Sequence, residues 1–148
     1  MRFKPLLLLT IAASLLMPVT VFGADPADPI KQLLYPPDLI MNYRTELKLD
    51  QQQENVIREE LRETQSAVFD LRWQMKDESE RLAEMLQDTP VDEEAVLRQA
   101  DKVMGLEQQV KLTHLAMLVR LKNMMNDTQL EQLVEYRKTW NPKDRSSR

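Results

Sequence analysis

Apolar residues recur every seven positions along two long stretches of the chain. In the first stretch one row holds Leu61, Val68, Met75 and Leu82, and a companion row holds Ile57, Leu71 and Met85. In the second, one row holds Val96, Val103, Val110, Met117 and Met124, and a companion row holds Ala100 and Leu121. Repeats of this kind are typical of helices that pack along a seam. The short segment Asp88–Val91 between them therefore predicts an antiparallel helical hairpin.

Capping residues and prolines suggest where each helix begins and ends. The long helices are predicted from an Asp50 cap to about Gln87, roughly 55 Å, and from an Asp92 cap to about Met125. Short helices are predicted over Asp38 to about Leu47, and from Asn126 to just before Asn141-Pro142. No alternating Val/Ile/Thr run indicates a strand. The expected fold class is all-α, a bent protomer of four helices over 38–140, with a disordered polar tail over 141–148.

Not every apolar residue of the hairpin lies on the seam. We expect Leu61, Val68, Met75, Val103, Val110 and Met117 to be buried between the two long helices. Other large apolar side chains fall off that row and need cover from elsewhere: Phe69, Trp73, Leu106, Leu112, Leu115, Leu118 and Val119. The short helices supply some of this cover. A second copy of the chain is the simplest source of the rest, so we expect a homodimer.

The N-terminus has the features of a secretory signal peptide. Arg2 and Lys4 precede an uncharged apolar run from Leu6 to Leu16, and Val21-Phe22-Gly23 ends in a small residue. This order predicts a signal peptide over 1–23, cleavage after Gly23 and export to the Gram-negative periplasm. The alternative is an uncleaved anchor in the inner membrane. Residues 24–37 then form an extended, mobile leader containing prolines.

Composition excludes several classes of function. The chain carries 20 basic and 24 acidic residues, and residues 1–23 contain two of the basic ones and none of the acidic ones. Removing that segment leaves 18 basic against 24 acidic residues, a net charge of −6. An acidic chain without a basic block is not typical of nucleic-acid-binding proteins. Since the sequence has no cysteine, it has neither disulfides nor a thiolate metal site.

His114 is the only histidine, and the heptad pattern puts it on the seam with Glu107. One interpretation is a divalent transition-metal site formed by Glu107, His114 and Met117. The other is a hydrogen-bonded seam histidine opposite Thr64 or Gln65, with a structural Arg72–Glu107 ion pair. We favour the second and expect no metal or other cofactor. With one histidine and no Gly-rich phosphate loop, the sequence offers no catalytic grouping, so we expect no enzyme.

Methionine is abundant, and its flexible side chain adapts to varied apolar partners. Of the seven methionines after residue 23, four fall on the seam rows, whereas Met41, Met104 and Met125 are candidates for an open apolar surface. Combined with the other off-seam residues, they suggest a binding surface. The client-binding candidates are Phe69, Trp73, Met104, Leu115 and Leu118.

Two short motifs resemble one known family. Both resemble the LTxxQ motif of the Spy/CpxP family of periplasmic chaperones and of the related heavy-metal sensor and resistance proteins. The first motif is Leu49-Asp50-Gln51-Gln52-Gln53, and the second is Met125-Asn126-Asp127-Thr128-Gln129. Asp50 and Asn126 replace the threonine, and Met125 replaces a leucine. The motif positions are Leu49, Asp50, Gln53, Met125, Asn126 and Gln129. The resemblance covers about Asp38 to Lys138, and it includes Leu71-Arg72, Leu82-Ala83-Glu84-Met85-Leu86 and Asp92-Glu93-Glu94-Ala95-Val96.

The resemblance implies a cradle-shaped dimer that binds unfolded or misfolded periplasmic proteins, restrains a membrane sensor of envelope stress, or senses metals. The metal-sensing branch has paired histidines before the first motif, where this chain has Ile40 and Arg44. It also has a His-x-x-x-Met, whereas His114 here is followed four residues later by Leu118. The chaperone branch is therefore the preferred expectation, a metal-responsive protein the first alternative, and a dedicated regulatory partner of a membrane stress sensor the second.

Overall fold

The computed structural model describes residues 32–141, and within that range the chain forms four α-helices and no strand. Helix α1 spans Pro37–Asn42, α2 spans Gln51–Met85, α3 spans Glu93–Asn123 and α4 spans Asp127–Thr139. The predicted all-α fold, with two long helices flanked by short ones, is confirmed. The predicted signal peptide, the first residues of the leader and the tail from residue 142 lie outside the described residues.

The long helices α2 and α3 form an antiparallel hairpin in the predicted register. Near its open end, Arg120 donates a hydrogen bond to Glu60 over 2.7 Å. Further along, Gln99 donates to both the backbone carbonyl and the carboxylate of Glu78, over 2.8 and 2.6 Å. At the turn Asp92 caps α3 by accepting a hydrogen bond from the Ala95 amide over 3.0 Å, as the sequence predicts.

The seam lies where the heptad pattern puts it, but it is incompletely enclosed. Of the six residues expected to be buried there, Val68 and Met117 are buried. The other four are only half-buried: Leu61, Met75, Val103 and Val110. Because two helices contact each other along a single line, side chains at the edge of that line stay open to solvent unless a third element covers them.

Helix α1 ends at Asn42, five residues earlier than the sequence predicts. The chain continues through hydrogen-bonded turns over 43–48. The amide of Leu49 bonds to the carbonyl of Arg44, and that of Lys48 to the carbonyl of Thr45. This is the Schellman arrangement, which ends a helical turn on a residue of left-handed conformation. Lys48 is that residue, with φ of 51°, and the turn leads the chain directly into α2.

One hydrophobic core lies at the open end of the hairpin. Its buried members come from the segment before α1, from α1, from the turn after it, from the start of α2, from the end of α3 and the residues that follow, and from α4: Tyr35, Leu39, Ile40, Leu47, Ile57, Met117, Leu121, Met125 and Leu133. Tyr43 and Tyr136 stack beside it with ring centroids 4.2 Å apart. Arg137 lies over the Tyr35 ring and donates to the carbonyls of Gln32 and Leu34. The expected mobility of the leader therefore does not extend to its last residues.

The molecule accordingly has two parts. We call residues 32–64 and 116–141 the base, and residues 65–115 the arm. Every residue of the core cluster and every apolar residue packed against it lies in the base. Val68 is the one buried apolar residue of the arm. No helix within residues 32–141 is long and apolar enough to cross a membrane.

Candidate functional site

The two LTxxQ-like motifs form matching helix starts. Asp50 accepts a hydrogen bond from the Gln53 amide over 2.7 Å, and the Gln53 side chain accepts one from the Asp50 amide over 3.2 Å. At α4, Asn126 accepts from the Gln129 amide over 2.9 Å, and the Gln129 side chain accepts from the Asn126 amide over 3.1 Å. Both motifs are therefore capping boxes. The predicted capping role of Asp50 and Asn126 is confirmed.

The two capping boxes also contact each other. The carboxamide groups of Gln53 and Gln129 exchange hydrogen bonds of 3.0 and 3.1 Å. Gln53 additionally donates to the carbonyl of Met124, just before the second motif, over 3.1 Å. Gln129 donates to the carbonyl of Leu47, just before the first motif, over 3.1 Å. Each glutamine thus binds its own cap, the other glutamine and the chain that enters the other motif.

This exchange explains why each motif needs a glutamine in its last position. Gln129 is buried, and its four hydrogen bonds use both donors and the acceptor of its amide group. A carboxamide provides both a donor and an acceptor, whereas a glutamate would lack the donor. We call this group of bonds the glutamine clamp. The caps are predictable from the sequence, whereas the clamp is not, because it joins residues far apart in the chain.

The arm holds most of the exposed large apolar side chains of the described residues. Among the client-binding candidates, the exposed fraction is 61% for Phe69, 53% for Trp73, 59% for Met104 and 37% for Leu115. Further exposed apolar residues of the arm are Leu86, Val91, Leu97 and Leu112. Leu118 differs, because it is half-buried and packs against the core of the base.

Four of the five candidates are displaced to the same side of the seam. Successive residues turn by about 100° around a helix. On α2, Phe69 and Trp73 therefore lie about 100° and 140° around the helix axis from the seam residue Val68. On α3, Met104 and Leu115 lie about 120° and 140° from the seam residue Val110, with the same direction of rotation about the helix axis.

The ion pair between Glu60 and Arg120 shows which face this is. Both residues lie about 80° from those seam positions in the opposite sense, and they meet across the hairpin. Residues displaced in the same sense on the two helices therefore share a face. The apolar candidates lie on the other side of the hairpin from this ion pair, toward the outer surfaces of α2 and α3, and we call that side of the arm the apolar face.

The other methionines considered as open surface belong to the base. Met125 is buried in the core, and Met41 is half-buried beside it. Met104 alone of these three is exposed on the arm. The exposed apolar surface of the arm therefore has fewer methionines, and more leucine and aromatic residues, than the sequence suggests.

The residues of the alternative metal site are not gathered together. His114 is exposed, and its Nδ1 lies 3.1 Å from the carbonyl oxygen of Val110 on its own helix. Glu107 is also exposed and pairs with Lys111 over 2.7 Å, so the expected Arg72–Glu107 pair is wrong. Met117 is buried. No group of three or more histidine, aspartate or glutamate side chains within residues 32–141 is placed to hold a metal ion.

Two polar side chains of the long helices, Thr64 and Gln99, are buried; the sequence places Thr64 at the seam as a possible partner of His114, but it does not predict Gln99 there. Gln99 is buried, and its hydrogen bond holds the pKa of Glu78 below the ordinary value, with help from Arg81 and Lys102 and against the effect of burial. Thr64 is buried with its hydroxyl oxygen unpaired. Gln99 lies one position before Ala100 and on neither heptad row of α3, so the repeat gives no signal that Gln99 contacts α2.

The described residues thus combine a base built around a buried core with an arm that has exposed apolar side chains. No protein-family model, curated protein or solved structure matches this chain.

Proposed function

We propose that the protein is a periplasmic, ATP-independent chaperone or envelope-stress adaptor that binds unfolded proteins on the apolar face of its arm. The observation that carries the proposal is the concentration of exposed large apolar side chains on the arm. Contiguous exposed apolar surface is unusual in a soluble monomer and is typical of an interaction site.

The geometry suits reversible, unselective binding. The arm consists of two long helices whose backbone hydrogen bonds are made within each helix, so it needs no folding step to present its surface. Met104, Leu97 and Leu115 are side chains without fixed polar partners, and such surfaces accept clients of varied shape. Charged residues around them, including Arg72 and Lys111, favour rapid encounter with clients.

The base gives the arm its orientation. Because the glutamine clamp joins the starts of α2 and α4, it holds the end of the hairpin against the short helices. We therefore assign the LTxxQ-like motifs a structural role and the arm the binding role. The proposal includes a homodimer, in which a second copy covers part of the apolar surface that one protomer leaves open.

The experiment is an aggregation assay. A chemically denatured enzyme is diluted into buffer with and without this protein, and light scattering is followed. We expect the wild-type protein to suppress aggregation and Met104→Glu to suppress it less, with helix content unchanged by circular dichroism. Val134→Glu is the matched control, since Val134 is an exposed apolar residue of the base.

Equal loss in both variants would contradict the assignment of binding to the arm. A wild-type protein that protects no client would contradict the chaperone proposal and favour a dedicated partner, such as a membrane stress sensor. Sedimentation of the free protein as a monomer at all concentrations would contradict the homodimer.

A further inference from the structure

An aromatic pair flanked by two cations lies on the outer surface of α2. The rings of Phe69 and Trp73 meet edge to face, with centroids 6.0 Å apart and planes at 71°. The Nζ of Lys76 lies 5.9 Å from the centroid of the Trp73 ring. With Arg72, these residues line a cavity of about 270 Å³ that is open to solvent. We call it the aromatic–cation site.

The charge of this site is opposite to that of the chain. Its lining contains two cations and no anion, whereas the whole chain has a net charge of −4. No carboxylate within residues 32–141 forms an ion pair with Arg72. Lys76 pairs with Glu80 over 2.5 Å, but both side chains are more than half exposed. An exposed pair of this kind contributes little and exchanges readily with another anion.

The size and lining of the site suit one side chain with an adjacent carboxylate. The cavity is smaller than the usual pocket for a small molecule, about 300–1,000 Å³. An apolar side chain in the cavity would contact the Phe69 and Trp73 rings. The guanidinium of Arg72 presents paired donors that match a carboxylate. Aromatic residues and arginine are also the types that contribute most to binding at protein interfaces.

We propose that the aromatic–cation site binds segments of unfolded protein in which an apolar or aromatic residue neighbours aspartate or glutamate. This rests on the proposed chaperone function and names the class of client sequence that this part of the arm accepts. Basic segments are disfavoured because their positive charges would be repelled by Arg72 and Lys76. A cavity of side-chain size on one helix suits a peptide better than a lipid surface, which would need a broad apolar face.

The test uses three synthetic peptides labelled with a fluorophore. They share a Leu-Phe pattern and differ in carrying aspartate, glutamine or lysine between the apolar residues. Binding to the full chain is followed by anisotropy at two salt concentrations. We expect the aspartate peptide to bind most tightly and the lysine peptide most weakly, and the preference to shrink as salt rises.

Matched variants locate the effect. Arg72→Gln with Lys76→Gln should weaken binding of the aspartate peptide about fivefold and remove its salt dependence, while the glutamine peptide is unaffected. Arg62→Gln with Arg81→Gln is the control, because it removes the same charge from the same helix at two cations that do not line the cavity. Trp73→Ala should weaken all three peptides about tenfold or more.

Three outcomes would overturn the inference. They are equal affinity for the three peptides, an equal loss in the control variant, and Trp73-dependent binding of phosphatidylglycerol vesicles in place of the peptides. The aggregation assay on the same variants separates this inference from the proposed function. If the protein suppresses aggregation fully but binds the three peptides equally well, the proposed sequence preference of the aromatic–cation site is contradicted and the chaperone function is not. If the protein prefers the aspartate peptide but suppresses no aggregation, the chaperone function is contradicted and the proposed preference of the aromatic–cation site is retained.

Discussion

The glutamine clamp makes a quantitative prediction about the stability of the base. Replacing Gln129 with alanine removes four hydrogen bonds of 3.0 to 3.1 Å. Two of these bonds join the two glutamines, one satisfies the amide of Asn126 and one the carbonyl of Leu47. A net hydrogen bond contributes about 0.5–1.5 kcal/mol, and a buried group left without a partner costs more. We expect Gln129→Ala to lower the free energy of unfolding by about 3 kcal/mol.

Gln53→Ala removes an equal number of bonds from a less buried residue, and we expect it to cost about 2 kcal/mol. Because two bonds are common to both glutamines, the double variant should lose about 1–2 kcal/mol less than the two single losses combined. The control is Gln52→Ala, which changes an exposed glutamine of the same helix turn by less than about 0.5 kcal/mol.

The assay is urea unfolding followed by circular dichroism at 222 nm, a wavelength that reports helix content. The four proteins of the double-mutant cycle and the control are compared at one protein concentration, since a dimer would make stability depend on concentration. Two results would refute the reasoning. One is that the stability loss of the double variant equals the sum of the Gln53→Ala and Gln129→Ala losses to within about 0.3 kcal/mol. The other is that the Gln129→Ala protein is as stable as the Gln52→Ala control.

Four further predictions follow from individual residues. Thr64→Val should stabilise the protein by about 1 kcal/mol by removing a buried unpaired hydroxyl, and a less stable variant in urea unfolding would contradict this. Lys48→Gly should stabilise the left-handed turn and Lys48→Val should destabilise it by about 1 kcal/mol; equal melting temperatures would be inconsistent with that account. The pKa of Glu78 is lowered in the folded state, so its contribution to stability is present above the unfolded pKa and is lost as the pH falls through the folded value. Gln99→Leu should therefore lose less stability than wild type on acidification to about pH 3, and an equal loss by both would count against the hydrogen bond as the cause. Zinc calorimetry should show no sub-micromolar site; such a site, abolished in His114→Ala, would restore the metal-responsive alternative.

Local signals made most of the fold predictable. Asp50, Asp92 and Asn126 cap the three longer helices as expected, because a capping bond joins residues only three apart. The seam was also predictable, because a heptad repeat needs no knowledge of distant contacts. The end of α1 was missed because a left-handed lysine at 48 carries no signal as clear as glycine does.

Features that depend on distant contacts were not predictable. His114 lies about 40° around α3 from Val110, at the edge of the seam in the arm, and it is exposed because burial there needs a third element beyond the two helices. The glutamine clamp joins positions 76 residues apart, and each glutamine alone has an ordinary capping explanation. The candidate surface was identified as a set of off-seam residues. Leu118 is partly buried against the core of the base, whereas Met104 is exposed on the arm. This difference depends on how far the base extends along the hairpin.

The methionine methyl groups offer the most direct test of where clients bind. The protein is labelled at its methionine methyls, an unfolded client is added, and the methyl spectrum is recorded by nuclear magnetic resonance. Met104 reports on the exposed face of the arm, while Met117 and Met125 report on the buried core of the base. Binding at the arm predicts that the Met104 signal shifts or broadens and that the Met117 and Met125 signals stay in place. Changes at the base methionines with an unmoved Met104 signal would contradict the assignment.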